Sequence, residues 1–454
     1  GGTAGGANVI IKPLSSVRSI DLGTKSGAAL SLNAVELAGI SAASLTIGDG
    51  TNTGGLHISD ALARTGDLHL NSGSAITATG AVTVDGSFVL DGGSWMQNGA
   101  VLPGFSARSF AIGSGASFLR VTGGDGVTSP YLLVDIYGLQ GIASLGLGNS
   151  YRLAGNIDAS GTVNWNDGQG FVPIAGSGSG FSGVFDGAGF TLSNLKIDRS
   201  LASGSAAGLF GTVQGGTLRN LTLSGGSVTG TANVGALAGN VVSGTIDNVN
   251  SSMAVSGQRN VGGLVGSNGG AITMSSSSGA VTGVNADNGG AIGGLAGWNA
   301  PAASITTSYA TGVVTGAREM IGGLVGNNQG ALSQSYATGN VTGARGIGGL
   351  VGLNGGSIDD AYASGAVGRS GSADPILARE NMGGLVGEST GSVSHVFSSG
   401  AVTGDGYAAV GAVAGRVSAG SPFSYGFFNY ETSLVQMDAG GSSGRSTAQM
   451  QQQG

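Results

Sequence analysis

The sequence predicts an all-β chain wound as a right-handed parallel β-helix, with one short helix near residues 129–145. Three observations predict it. The first is repetition: VGGLVGSN at Val261–Asn268 returns as IGGLAGWN at Ile292–Asn299, IGGLVGNN at Ile321–Asn328, IGGLVGLN at Ile347–Asn354 and MGGLVGES at Met382–Ser389. Looser copies open at Ala207, Val234 and Val410, and successive copies begin 26 to 35 residues apart. A recurring unit of that size is the mark of a solenoid, in which each unit packs on its neighbours. The second is alternation. In the unit from Ile321, the strands IGGLVG, ALSQSYATG and NVTG carry Leu324, Leu332 and Val341 at inward positions. The third is glycine, 94 of 454 residues, each costing about 1 kcal/mol in a helix interior.

A unit this short cannot bury its apolar face alone. Stacked units bury it against one another as parallel strands about 4.8 Å apart, and crossover chirality makes the coil right-handed.

Taken in order, residues 1–125 form β-helix of a different rung length. Leu30 and Leu32, Leu45 and Ile47, Leu56 and Ile58, and Leu68 and Leu70 alternate between Gly, Asn-Ser and Asp-Gly turns. Residues 126–206 form a junction, continuous with the solenoid. Within it Ser129 caps a helix reaching Leu145, Pro130 suits its first turn, and Leu132, Ile136, Leu139 and Ile142 keep helical spacing. Residues 207–430 hold the clear repeats, and residues 431–454 have the composition of a linker. The chain opens mid-pattern without an initiator Met, which reads as an interior piece of a longer secreted polypeptide.

Composition excludes several classes. Charged residues are 9 % of the chain, with three Lys and a net charge of −7, so the electrostatic footprint of a nucleic-acid binder is missing. No Cys is present, which rules out disulfides and thiolate metal sites and suits a chain exported unfolded. No apolar run approaches the ~20 residues of a membrane span.

Two columns of side chains emerge from the period. Asn268, Asn299, Asn328 and Asn354 fall on one turn of four consecutive rungs, where stacked amides can hydrogen-bond along the column as a structural ladder. Tyr309, Tyr336, Tyr362 and Phe397 form the other, following the polar Thr222, Asn250 and Ser276 of earlier rungs. Their neighbours are small, so alternation turns the aromatics outward. Such a stripe serves as a stacking platform for sugars or as a ladder that stiffens the solenoid. Insertions gather at one corner, Val284–Ala291 and Arg369–Asn381. The second brings Asp374 and Arg379 to the variable, ligand-facing edge.

Chemistry is sparse. His57, His69 and His395 lie far apart in sequence, outside any metal-binding spacing. Asp359-Asp360 is the one adjacent acidic pair, and strict alternation sends its side chains to opposite faces. Gly123–Gly126 (GGDG) and Gly48–Gly50 (GDG) lack the calcium-binding nonapeptide and read as turns. Asn220, Asn250 and Asn340 sit in N-x-[ST] sequons. No catalytic constellation, cofactor motif or metal site follows, and the chain is expected not to be an enzyme.

The repeat GGLVGxNxGxLxxSYATGxVTG, as at Gly322–Gly343, resembles the GLUG motif of large bacterial surface proteins. ELAGISAASLTIG at Glu36–Gly48 resembles the haemagglutination repeats of filamentous-haemagglutinin-like exoproteins, and Tyr131–Ser160 is similar to the segment preceding GLUG repeats in such adhesins. The resemblance implies export through an outer-membrane two-partner-secretion transporter and residence at the cell surface or in the biofilm matrix. It also implies a monomeric, rod-like adhesin that binds a host glycan or an exopolysaccharide. A β-helical polysaccharide hydrolase or lyase, and a passive spacer, are the alternatives.

Overall fold

A computed structural model describes residues 8–25, 27–202, 204–284, 290–317, 320–369, 381–404 and 409–451. The chain divides into two compact units, Gly1–Phe171 and Val172–Gly454. Both are parallel β-helix. Among the described residues no helix is long and apolar enough to cross a membrane.

In the first unit, alternation puts every second side chain inside, and register then stacks like upon like. Leu45 pairs with Leu68, Leu68 with Phe88 and Phe88 with Phe110 along one sheet. Ile20, Leu56, Ile76, Trp95 and Phe118 follow one another along a second. All nine are at most 2 % exposed. Aromatic rings fill the last rungs: Trp95 stacks on Phe118 at 5.3 Å and meets Phe88 edge-on at 5.7 Å.

The helices depart from expectation in position. Helix α1, Ala34–Ala38, lies in a stretch read as strand. Its capping box is legible as Asn33-x-x-Glu36, with Glu36 N donating to Asn33 Oδ1 at 2.9 Å and Asn33 N to Glu36 Oε2 at 3.0 Å. The helix expected from Ser129 starts later, as α2 at Ile136–Gly141 with a 3-10 turn at Ile142–Ser144. Ser129 and Pro130 do not open it, because Tyr131–Leu133 is a strand paired with Tyr151–Leu153. Asp135 is the cap instead: its Oδ1 accepts from Gly138 N at 2.9 Å and its Oδ2 from the buried Arg120 Nε at 2.7 Å. Helix α3, Thr447–Gln451, stands in the tail.

In the second unit the rungs that open at Ile321, Ile347 and Met382 have four strands rather than three. The expected strand IGGLVG divides into Ile321–Gly322 and Val325–Asn328, which belong to different sheets. Gly323 and Leu324 make the corner between them. A Cβ at Gly323 would run into the Gly349 carbonyl oxygen of the next rung, so the rungs approach there only because the side chain is absent. Leu324 fills the inside of the corner, fully buried like Leu264, Leu295, Leu350 and Leu385 on neighbouring rungs. Further apolar columns run through Ile321, Val325, Leu332 and Val341.

Candidate functional site on an outward sheet face

The strand or strand pair that carries the aromatic column is bent at a left-handed residue. Asn220, Asn248, Met274, Thr307, Gln334, Asp360, His395 and Tyr425 have φ between 45° and 53°, a left-handed conformation repeated on eight successive rungs. Each bend resets the alternation. The residue before it and the residue at it both face solvent, the next points inward, and the one after that points out again, as in Ser333, Gln334, Ser335 and Tyr336.

The N–H following the bend is met by a buried hydroxyl. Val249 N donates to Ser275 Oγ at 3.1 Å, Ser275 N to Ser308 Oγ at 3.2 Å, and Ser308 N to Ser335 Oγ at 3.1 Å. Each serine in turn donates to the carbonyl two residues before it, at 2.7 to 2.8 Å. This serine ladder escaped the sequence reading, which took Ser308 and Ser335 only as small. The S-Y pair recurring beside SYATG is its trace.

Two residues past the bend stand the outward aromatics. Tyr309, Tyr336, Tyr362 and Phe397 are register partners on consecutive rungs. Their rings stack face to face at 4.9, 4.7 and 5.0 Å with planes within 9°. Loss of water around the stack, and then the neighbouring phenol, push the Tyr336 and Tyr362 hydroxyls above the ordinary tyrosine pKa. The column extends beyond the residues singled out from sequence: Phe427 pairs with Phe397 in register, and the Arg445 guanidinium lies 5.3 Å from the Phe427 ring centre.

The bend also overturns the expected separation of Asp359 and Asp360. Because Asp360 adopts φ 49°, both carboxylates face solvent, and the next rung sets His395 beside them. His395 Nδ1 donates to Asp359 Oδ1 at 2.8 Å, which also accepts from Ser394 Oγ at 2.7 Å. Tyr425 stacks on the imidazole at 5.0 Å. The hydrogen bond to Asp359 holds the imidazole pKa above its usual value, and the bonds from His395 and Ser394 hold the Asp359 carboxyl below its own. One donor atom from each of Asp359, Asp360 and His395 lies within 4.8 Å of the others. An imidazole with two carboxylates is a set that divalent zinc or manganese accepts, although all three side chains are at least half exposed.

Asn268, Asn299, Asn328 and Asn354 sit elsewhere, fully buried. Each Nδ2 donates to the next Oδ1 at 2.8 to 2.9 Å, and the Asn354 amide ends the chain on Ser389 Oγ at 3.1 Å. Asp374 and Arg379 lie outside the described residues. A cavity of about 330 Å³ is lined by Met320, Arg345, Leu353, Asn381 and Glu388. The Glu388 carboxylate there accepts from Asn381 Nδ2 at 2.8 Å and pairs with Arg416 at 3.4 Å.

The chain carries the GLUG motif at residues 257–282, 317–342 and 343–368. Those repeats lie within the parallel β-helix of the second unit. The chain is similar to halomucin of Haloquadratum walsbyi, 43 % identical over 170 residues that make up 36 % of this chain and 2 % of halomucin. It is also similar to a Gly-rich membrane protein of Evansella cellulosilytica, 35 % identical over 133 residues, 28 % of this chain and 15 % of that one. The chain thus spans a small part of the curated relatives it matches. A crystal structure of a candidate immunoglobulin A1 protease from Bacteroides ovatus aligns with a TM-score of 0.49 at 23 % identity, covering 62 % of this chain and 87 % of that one. That likeness is too distant to inform the chemistry here.

Proposed function

We propose that this chain is a non-enzymatic, surface-associated repeat scaffold that attaches to glycans through its outward sheet face. The glycan is a host glycoconjugate or an exopolysaccharide of the biofilm matrix. The observation that carries the reading is the aromatic ladder of Tyr309, Tyr336, Tyr362 and Phe397 standing outward on a fold whose own core does not need it. The Gly-rich relative named as a membrane protein supports a surface location. The resemblance to filamentous-haemagglutinin-like exoproteins supports two-partner secretion through an outer-membrane transporter and an adhesive role. The test is a glycan array probed with the purified chain. Binding to a defined set of glycans supports attachment, and a blank array with folded protein overturns it.

One feature favours a second reading, a β-helical polysaccharide-active enzyme: the convergence of Asp359, Asp360 and His395. Against it, all three side chains are at least half exposed, which removes the burial by which a glycosidase keeps one carboxyl group protonated as general acid.

A further inference from the structure

We propose that the face of the Tyr309 ring turned toward Ser276 is a stacking site for a neutral hexose or hexosamine ring, flanked by Ser276 and Asn250. The inference rests on the glycan-attachment reading and narrows it to one end of the ladder.

A sugar that stacks on an aromatic ring needs a free ring face. Inside the ladder there are none. With planes within 9° and centres at most 5.0 Å apart, both faces of Tyr336 and Tyr362 are covered by neighbouring rings. At the far end, Phe397 is followed in register by Phe427, which carries the Arg445 guanidinium.

The near end is different. Tyr336 covers one face of Tyr309, but the register partner on the other side is Ser276, followed by Asn250 and Thr222. None of these side chains is large enough to cover a phenol ring. Tyr309 is accordingly the most open tyrosine of the ladder, 36 % exposed, while Tyr336 and Tyr362 are half-buried. The rung spacing leaves a seat one ring thick above Ser276, where the ladder would otherwise continue.

The seat's rim selects its occupant. Ser276 Oγ donates to Asn250 Oδ1 at 2.7 Å, and with Ser276 only 7 % exposed the half-buried Asn250 amide is the rim group left to donate to a ligand. An apolar face with hydroxyls at its edge matches a ring below and an amide beside it. An apolar peptide segment would leave that amide unpaired.

The experiment probes the glycan array with the whole chain and with Tyr309→Ala, Ser276→Phe and Phe397→Ala. Ser276→Phe adds the missing ring to the column and so fills the seat without removing a contact, and thermal unfolding checks that each variant is folded. Tyr309→Ala and Ser276→Phe should each lower binding at least tenfold, and Phe397→Ala, at the far end of the ladder, should lower it less than either. Binding retained in both Tyr309→Ala and Ser276→Phe overturns this site and leaves the broader attachment reading standing. An equal loss in Phe397→Ala overturns the assignment to one end. A folded chain that binds nothing on the array overturns both.

Discussion

His395 Nδ1 and Asp359 Oδ1, 36 positions apart in the chain, form a 2.8 Å hydrogen bond across adjacent rungs. The imidazole pKa is raised and the carboxyl pKa lowered by that contact. The raised imidazole contributes stability that is fully present below its unfolded value of 6.5 and fades as pH rises through its folded value. The lowered carboxyl contributes above 3.8 and fades as pH falls through its folded value. The pair therefore works between the two folded values. An NMR titration should find the His395 pKa above 6.5, and Asp359→Asn should lower it. An unchanged midpoint in that variant would remove Asp359 as the cause.

Asn328 accepts from Asn299 and donates to Asn354, and its side chain is fully buried. Asn328→Ala leaves a donor on one neighbour and an acceptor on the other unpaired. The expected loss is about 1–3 kcal/mol, read from urea unfolding. A variant as stable as the parent would mean that the column contributes nothing.

Thr307 is β-branched and sits at the left-handed bend with φ 50°. Asn tolerates that region, and Asn220 and Asn248 occupy it on earlier rungs. Thr307→Asn should raise stability by roughly 0.5–1 kcal/mol. A lower denaturation midpoint would show that the Thr307 side chain has a compensating role.

Gly323→Ala should do the opposite. Its Cβ would meet the Gly349 carbonyl oxygen, a rigid neighbour on the next rung. Separation of the rungs at that corner should cost about 1–3 kcal/mol or more, visible as a lower melting temperature. Unchanged melting would mean that the corner relaxes freely.

Much of this architecture is readable in the sequence because repetition makes each prediction several times over. The period alone sets Tyr309, Tyr336, Tyr362 and Phe397 in one column and the four asparagines in another. What escaped depends on single backbone torsions. Nothing in Met274, Thr307 or Gln334 announces a left-handed residue, and although Asp and His adopt that region more often than most types, Asp360 and His395 carry no other sign of it. Strict alternation therefore misplaced Asp360 and concealed its meeting with His395. The split of IGGLVG was hidden for a related reason, because Gly-Gly is compatible with both an extended run and a sharp corner. The start of α2 was misjudged because Tyr131–Leu133 finds a strand partner that lies beyond the helix.

The bend shared by eight rungs is occupied by Asn, Met, Thr, Gln, Asp, His and Tyr with almost the same torsion. Its shape is indifferent to the letter written there. Duplicating one storey and changing a single codon at this place alters the exterior while the interior keeps its pattern. Variation can accumulate along the column as on a strip of interchangeable tiles.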